Sequence, residues 1–255
     1  MKPAYFISDA HLGIPIPGGE GREEALLSFF REEVSGASHL FIVGDLFDFW
    51  IEYRHAIRPD YFRVLHGLRS LVEAGVEVHY CQGNHDFALG PFISETVGIT
   101  VHPDRFRGSL QGRNLVVCHG DGLRRGDWSG RLLSRLLRNR GNQGLYRLLH
   151  PTLGVPLGEM ISGVSRRREL ARADEADLAA YRAAAEKILQ AGADLVILGH
   201  THYPELRNFP GGSYCNTGNW FRRFSCVLLR DGEAELNEYL PGQGLVPWED
   251  ADDGN

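Results

Sequence analysis

Five short clusters of carboxylate, amide and imidazole side chains punctuate the sequence: Asp9-x-His11, Gly44-Asp45-x-x-Asp48, Gly83-Asn84-His85-Asp86, His119-Gly120-Asp121 and Gly199-His200-x-His202. They contain no thiolate, and this donor set suits borderline-hard divalent ions such as Mn²⁺, Fe²⁺ or Zn²⁺. The donors are too many for one ion, so the natural reading is two ions sharing a bridging carboxylate. Two ions held close together can act jointly as Lewis acids and activate a bound water. The four cysteines, Cys81, Cys118, Cys215 and Cys226, form no CxxC pair. They read as reduced thiols in the core, not as a disulfide framework or a thiolate zinc site.

The clusters need elements to bring them together, and each follows an apolar run. Ala4–Ser8, His39–Val43, Val76–Cys81, Asn114–Cys118 and Leu195–Leu198 read as buried strands, each ending in one cluster. Helices are expected between them. Glu23–Val34 carries Leu26, Leu27, Phe30 and Val34 at helical spacing. Pro59–Gly75 has Pro59 near its start, Phe62, Leu65, Leu68 and Val72 on one face, and Gly75 as its stop. Ala173–Ala191 is Ala-rich and stops at Gly192. Further strands are expected around Ser213–Asn216, Phe224–Leu229 and Glu233–Tyr239. Alternating strand and helix followed by strands is an α/β pattern with mixed sheets. In open α/β sheets ligand sites gather beyond the carboxyl ends of strands, so five such ends can converge on one site.

The order DxH, GDxxD, GNHD, HGD, GHTH resembles the calcineurin-like metallophosphoesterase family, with motifs spanning Asp9 to His202. The resemblance implies a two-sheet β-sandwich flanked by helices, with a dinuclear site at one edge. It implies that Asp9, His11 and His202 hold one metal, that Asn84, His119 and His200 hold the second, and that Asp45 bridges them. His85 matches the family's catalytic histidine, stabilising charge on the phosphoryl group or protonating the leaving oxygen. Asp86 is placed to accept a hydrogen bond from the His85 ring and fix its orientation. Asp48 either orients a ligand or caps a following helix, and Asp121 reads as a support behind the ligands. The other six histidines, His39, His55, His66, His79, His102 and His150, read as structural.

Charge is unevenly spread. Net charge is −6, yet eleven arginines face only Asp127, Glu159 and Glu169 between Gly122 and Arg172, making that segment +8. The expected organisation is one domain over 1–248, with 122–172 a basic helical insertion (a lid) and 249–255 an acidic tail. Arg131, Arg135 and Arg138 recur at i, i+4 and i+7, opposite Leu132, Leu133, Leu136 and Leu137. That amphipathic helix either meets anionic lipid or docks by its leucines with arginines in solvent. Arg166, Arg167 and Arg168 either hold substrate phosphates bidentately or form a solvated charge run. Phe47, Phe49, Trp50 and Phe87 flank the metal loops and either wall an apolar pocket or belong to the core.

FISDAHLG, GDLFDFW, GNHDF and the arginine-rich insertion together look like the bacterial UDP-2,3-diacylglucosamine pyrophosphatases of lipid A biosynthesis. That resemblance implies Mn²⁺-dependent hydrolysis of a lipid-linked UDP-sugar to lipid X and UMP, with Asn84 and the three arginines contacting substrate beneath the lid. Members of that family carry Arg where this chain has His85. The alternative is a phosphodiesterase of broader, nucleotide or nucleic-acid specificity, against which stand the acidic net charge and the lack of a separate nucleic-acid-binding unit. A non-catalytic scaffold is disfavoured, because all seven expected ligands and His85 are present. No run approaches ~18 apolar residues, so no transmembrane helix is expected. Asp9 falls where a signal peptide's apolar core would lie. The expected location is cytoplasmic, with peripheral contact at the inner membrane.

Overall fold

Buried apolar runs on neighbouring strands assemble two sheets, each covered by helices on its outer side. The structure, a computed structural model, describes residues 1–123, 136–169 and 174–249, without the side chains of Arg140 and of residues 164–169. In the first sheet β1 (Ala4–Ile7), β2 (His39–Ile42), β3 (Glu77–Cys81) and β4 (Thr100–His102) run parallel. On the other side of β1 lie the antiparallel β10 (Ser225–Arg230), β11 (Glu233–Leu240) and β12 (Gly244–Pro247). The second sheet has the order β5 (Phe106–Leu110), β6 (Arg113–Val117), β7 (Leu195–Leu198), β9 (Gly212–Asn216), β8 (Glu205–Phe209).

Strand alternation sorts side chains between layers. Phe6, Phe41, Cys81, Val117, Ile197 and Val227 meet between the sheets. Their neighbours Tyr5, Ile7, Leu40, Ile42 and Tyr80 face outward, onto α1 (Arg22–Glu32) and α2 (Phe62–Glu73). On the far side Val116, Val196 and Leu198 meet Tyr181, Ala185 and Leu189 of α5 (Glu175–Gln190). The result is helix–sheet–sheet–helix. β1 and β7 are buried along their whole length, covered on both faces, which is why they read as unbroken apolar runs. The four cysteines are buried and unpaired, as free thiols.

The five expected site-bearing strands are present, shifted by no more than a residue at either end. Four strands lacked a sequence signal: β4, β5, β8 and β12. These are the four outer strands of the two sheets. The expected helical face at Pro59–Gly75 needs correction. Pro59–Tyr61 is a 3₁₀ turn, α2 follows, and its buried side chains are Val64, Leu65, Leu68 and Leu71. Phe62 is exposed and lies against His66 on the solvent side.

Between the second sheet's β6 and β7 the chain leaves the sandwich as α3 (Arg140–Tyr146) and α4 (Pro151–Glu169). Asn139 caps α3, its side chain accepting from the backbone N–H groups of Gly141 and Asn142. Helix α4 docks on the loop after β2. Gly158 sits over the Phe49 ring, Arg58 pairs with Glu159 at 2.6 Å, and Arg147 Nε donates to the Glu52 carbonyl at 2.8 Å. Of the amphipathic stretch expected over Arg131–Arg138, residues 131–135 lie outside the described residues.

Candidate metal centre

Each site strand ends in a sharp turn, and the turns are unusual. Among the described residues seven non-glycine positions have positive φ, and five are expected ligands: Asp9 (53°), His11 (43°), Asp45 (52°), His200 (69°) and His202 (56°). Left-handed backbone at such residues costs about 1–3 kcal/mol each and persists where the surroundings fix it. Asp and His are among the side chains that tolerate it best. The motif glycines make room. A Cβ on Gly44 would stand 2.5 Å from His119 Nδ1, and one on Gly83 would stand 2.7 Å from Asp45 Cγ.

The turns bring all seven expected ligands to one end of the sandwich. His202 Nε2 is 3.2 Å from Asp9 Oδ1 and 3.4 Å from His11 Nε2. His119 Nε2 is 3.1 Å from Asp45 Oδ2, 3.1 Å from His200 Nδ1 and 3.0 Å from Asn84 Oδ1. Two donor groups therefore stand side by side, Asp9–His11–His202 and Asp45–His119–His200. Asp45 reaches a third loop as well, since its Oδ1 accepts from the His85 backbone N–H at 2.9 Å.

The donors fit divalent ions. Asp9 Oδ1 and Asp45 Oδ2 are buried carboxylate oxygens with no hydrogen-bond donor, each aimed at an imidazole nitrogen. A buried anionic oxygen without a donor is expensive unless a cation meets it. The second oxygen of each carboxylate is accounted for. Asp9 Oδ2 accepts from Ser8 Oγ and the His200 N–H, and Asp45 Oδ1 from the His85 N–H. Burial alone would raise both carboxyls. The imidazoles reverse this, His202 and His119 for Asp9, His119 and His85 for Asp45, and hold both low, Asp45 well below the usual carboxylate range. Burial likewise disfavours charge on His119, but Asp45 and Asp9 outweigh it and lift that imidazole well above its ordinary value.

The sequence model of the Calcineurin-like phosphoesterase family matches residues 2–204. The chain belongs to that family. A UDP-2,3-diacylglucosamine hydrolase of Neisseria meningitidis serogroup B is 32% identical over 92% of this chain and 97% of the relative. The protein of the same name from Haemophilus influenzae (strain PittGG) is 29% identical over 92% and 98%. A solved phosphoesterase from E. coli is 18% identical with a TM-score of 0.45, covering 96% of both chains. This phosphoesterase is therefore a metal-dependent hydrolase with a calcineurin-like fold, and membership implies divalent ions at the donors just described.

Two expected supports in this phosphoesterase are arranged differently. Asp86 does not hold the His85 ring. It accepts from the Leu46 and Gly83 N–H groups at 2.9 and 2.8 Å and from the Tyr80 hydroxyl, tying the GNHD loop to the loop after β2. Burial, then the charge of Asp45, pushes Asp86 up to about 6. The His85 ring instead meets the Asp48 carbonyl at 2.9 Å through Nδ1, and the same nitrogen faces Ser162 Oγ of α4. Asp48 caps no helix among the described residues. Its Oδ1 lies 3.7 Å from His11 Nδ1, close enough for charge to be felt but too far for a hydrogen bond.

The aromatics divide. Phe47 and Trp50 pack with Tyr61 in the core, whereas Phe49 turns to the inserted helices, against Gly158 and Tyr146. Arg138, expected in solvent or at a membrane, turns inward and donates to both Asp121 oxygens at 2.9 Å and to the Gly83 carbonyl at 3.2 Å. Arg22 was not singled out in the sequence. Its guanidinium donates to the Ala10 and His11 carbonyls at 2.9 Å and straps the first metal loop. Its position in an amphipathic helix gave no sign of this. The side chains of Arg166, Arg167 and Arg168 lie outside the described residues, although α4 carries them one turn beyond Ser162.

Proposed function

We propose that the chain hydrolyses the pyrophosphate of UDP-2,3-diacylglucosamine, releasing lipid X and UMP. The observation that carries this reading is the surface of the inserted helices. Eight of the eleven exposed large apolar side chains among the described residues fall between Leu136 and Ile161, among them Leu145, Leu148, Leu153 and Met160. An apolar patch of that kind beside a catalytic centre marks a lipid or partner surface. Acyl chains would lie there while the diphosphate reaches the metal loops below. The relatives' name, UDP-2,3-diacylglucosamine hydrolase, supports the same substrate.

In this reading Asp9, His11 and His202 hold one ion, Asn84, His119 and His200 the other, and Asp45 both. The ion is Mn²⁺, with Fe²⁺ and Zn²⁺ suited to the same donors. When bound, the ions supply Lewis acidity toward the phosphoryl oxygens and lower the pKa of the attacking water. His85 stabilises charge on the phosphoryl group or passes a proton to the leaving oxygen. The Asp48 carbonyl from the body and Ser162 from the lid set the orientation of its ring together. Asp86 supports catalysis by holding the GNHD loop. Asn84 also touches substrate, and Arg166, Arg167 and Arg168 bind its phosphates. The unit is one domain over 1–248 with 122–172 inserted as the lid, followed by an acidic tail. No helix among the described residues is long and apolar enough to cross a membrane. The proposed location is the cytoplasm, with the inserted helices resting on the inner membrane.

His85 favours a second reading, a phosphodiesterase with broader specificity toward nucleotides or nucleic acids. Purified protein with Mn²⁺ is given UDP-2,3-diacylglucosamine, and UMP and lipid X are read by mass spectrometry. Release of both, abolished by chelator, supports the proposal. Cleavage of a generic phosphodiester with no turnover of the lipid substrate keeps the centre and discards the substrate.

A further inference from the structure

A second group of metal-binding side chains stands at the opposite ends of the same strands. His39 opens β2 and Glu77 opens β3, and parallel register sets them side by side. His79 is two residues beyond Glu77, so it shares that face of the sheet, beside Phe41 of β2. His39 Nε2 is 3.6 Å from Glu77 Oε2, and one donor atom each of His39, Glu77 and His79 lie within 4.8 Å of one another. Neighbouring donors around tetrahedral zinc, with bonds of about 2.0–2.1 Å, are about 3.3 Å apart. The Glu77 side chain is 71% exposed, so nothing rigid opposes the small closure required.

The imidazoles are prepared for such a role. His79 Nδ1 lies 3.1 Å from His102 Nε2 on β4, a hydrogen bond that holds its ring plane. Ligating histidines are generally held from behind in this way. The Phe41 ring stacks on His79 at 4.5 Å and on His39 at 6.1 Å, keeping both rings nearly parallel. His39 Nδ1 is buried with no hydrogen-bond partner. Burial keeps the rings neutral near pH 7, with His79 lowered to about 4 and His39 and His102 also lowered. A neutral imidazole is the form that binds a metal.

We propose that His39, Glu77 and His79 form a further divalent-metal site, distinct from the catalytic centre and supported by His102. Two imidazoles and one carboxylate, with water completing a tetrahedron, favour Zn²⁺ over Mn²⁺. The site stands about 16 Å from the GNHD loop, five strand residues at ~3.3 Å each. Its ion pins the first residues of β2 and β3 together and takes no part in the reaction. The proposal is independent of the substrate assignment.

Chelator-stripped full-length protein is titrated with Zn²⁺ against a chromophoric chelator, in parallel with Glu77→Gln and His39→Asn/Glu77→Gln variants. The double variant should bind one equivalent fewer than the wild type, whatever number the catalytic centre takes. His102→Asn should keep that equivalent but weaken it about 10–100-fold, as loss of support behind a ligand does. Mn²⁺-dependent turnover of an aryl phosphodiester should be unchanged in Glu77→Gln. Anomalous scattering at the zinc edge from crystals of the wild type should place an ion between His39 and His79. Equal stoichiometry in wild type and double variant overturns the proposal, as does an anomalous map without a peak there. If the double variant fails to fold, the map and Glu77→Gln decide.

Discussion

Gly83 tests how tightly the bridging carboxylate is confined. A Cβ there would stand 2.7 Å from both Cγ and the backbone nitrogen of Asp45, and closer still to Oδ1, where ordinary contact begins near 3.4 Å. Gly83 is not among the positive-φ glycines, so alanine brings no conformational penalty and space alone is at issue. Asp45 is 1% exposed and its Oδ1 is bound to the His85 N–H, so clearing Oδ1 requires the carboxylate to retreat by about 1 Å or more, which breaks this bond. Displacement near 1 Å at a reacting centre costs about 10²-fold in rate, or ~2.7 kcal/mol of barrier. Overpacking costs a further 1–3 kcal/mol of stability, which a domain of this size survives. Gly83→Ala is therefore expected to fold, to melt several degrees lower, to lose bound metal, and to turn over an aryl phosphodiester about 10²-fold more slowly. Metal content by mass spectrometry and turnover are measured beside Gly36→Ala, where a Cβ meets nothing within 4 Å. Wild-type metal content and turnover in Gly83→Ala would refute the assignment of Asp45 as the shared ligand.

Further expectations concern His85, the inserted helices and the strand histidines. His85→Ala should lower turnover about 10²–10⁴-fold while sparing metal content; unchanged turnover removes it from the mechanism. Gly158→Ala would set a Cβ 2.5 Å from Phe49 Cε2 and lift α4. KM for a lipid substrate should then rise more than KM for an aryl phosphodiester, and equal effects would count against a lid. Because His79 is lowered to about 4 in the folded chain, its contribution to stability is complete above about pH 6.5 and is lost as pH falls toward 4. Urea melts of His79→Phe in metal-free buffer should therefore fall less between pH 6.5 and 4 than those of the wild type; parallel curves would place the acid sensitivity elsewhere.

The sequence was legible where burial was complete. Strands β1, β2, β3, β6 and β7 lie under cover on both faces, so composition alone marks them, and each delivers its cluster to the same end of the sandwich. The outer strands carry no such mark. β8, with Arg207 and Asn208 exposed in a five-residue ladder, reads as loop because solvent accepts its side chains. Phe62 misled for the reverse reason, since an apolar side chain at helical spacing can remain in water. In the site, the donor types and their convergence were readable from the sequence, but the contacts behind them were not. Asp86 adjoins His85 in sequence, yet a strand-end turn sends the two side chains apart, one to Tyr80 and one to the lid. Ser162 and Arg22 act through contacts 77 and 11 positions away, beyond any local pattern.

Strand β1 is made before the other described strands and is among the last to be finished. Its residue Ala4 pairs with Leu229, and the Asp9 carbonyl beyond it accepts from the Trp220 N–H. At about 5–20 residues per second, some 10–45 s separate synthesis of the first metal loop from synthesis of the segment that fastens it. Throughout that interval one side of β1 is an open edge. A chain interrupted near residue 204, where all five clusters already exist, would carry every proposed ligand and still present a central strand paired on one side only.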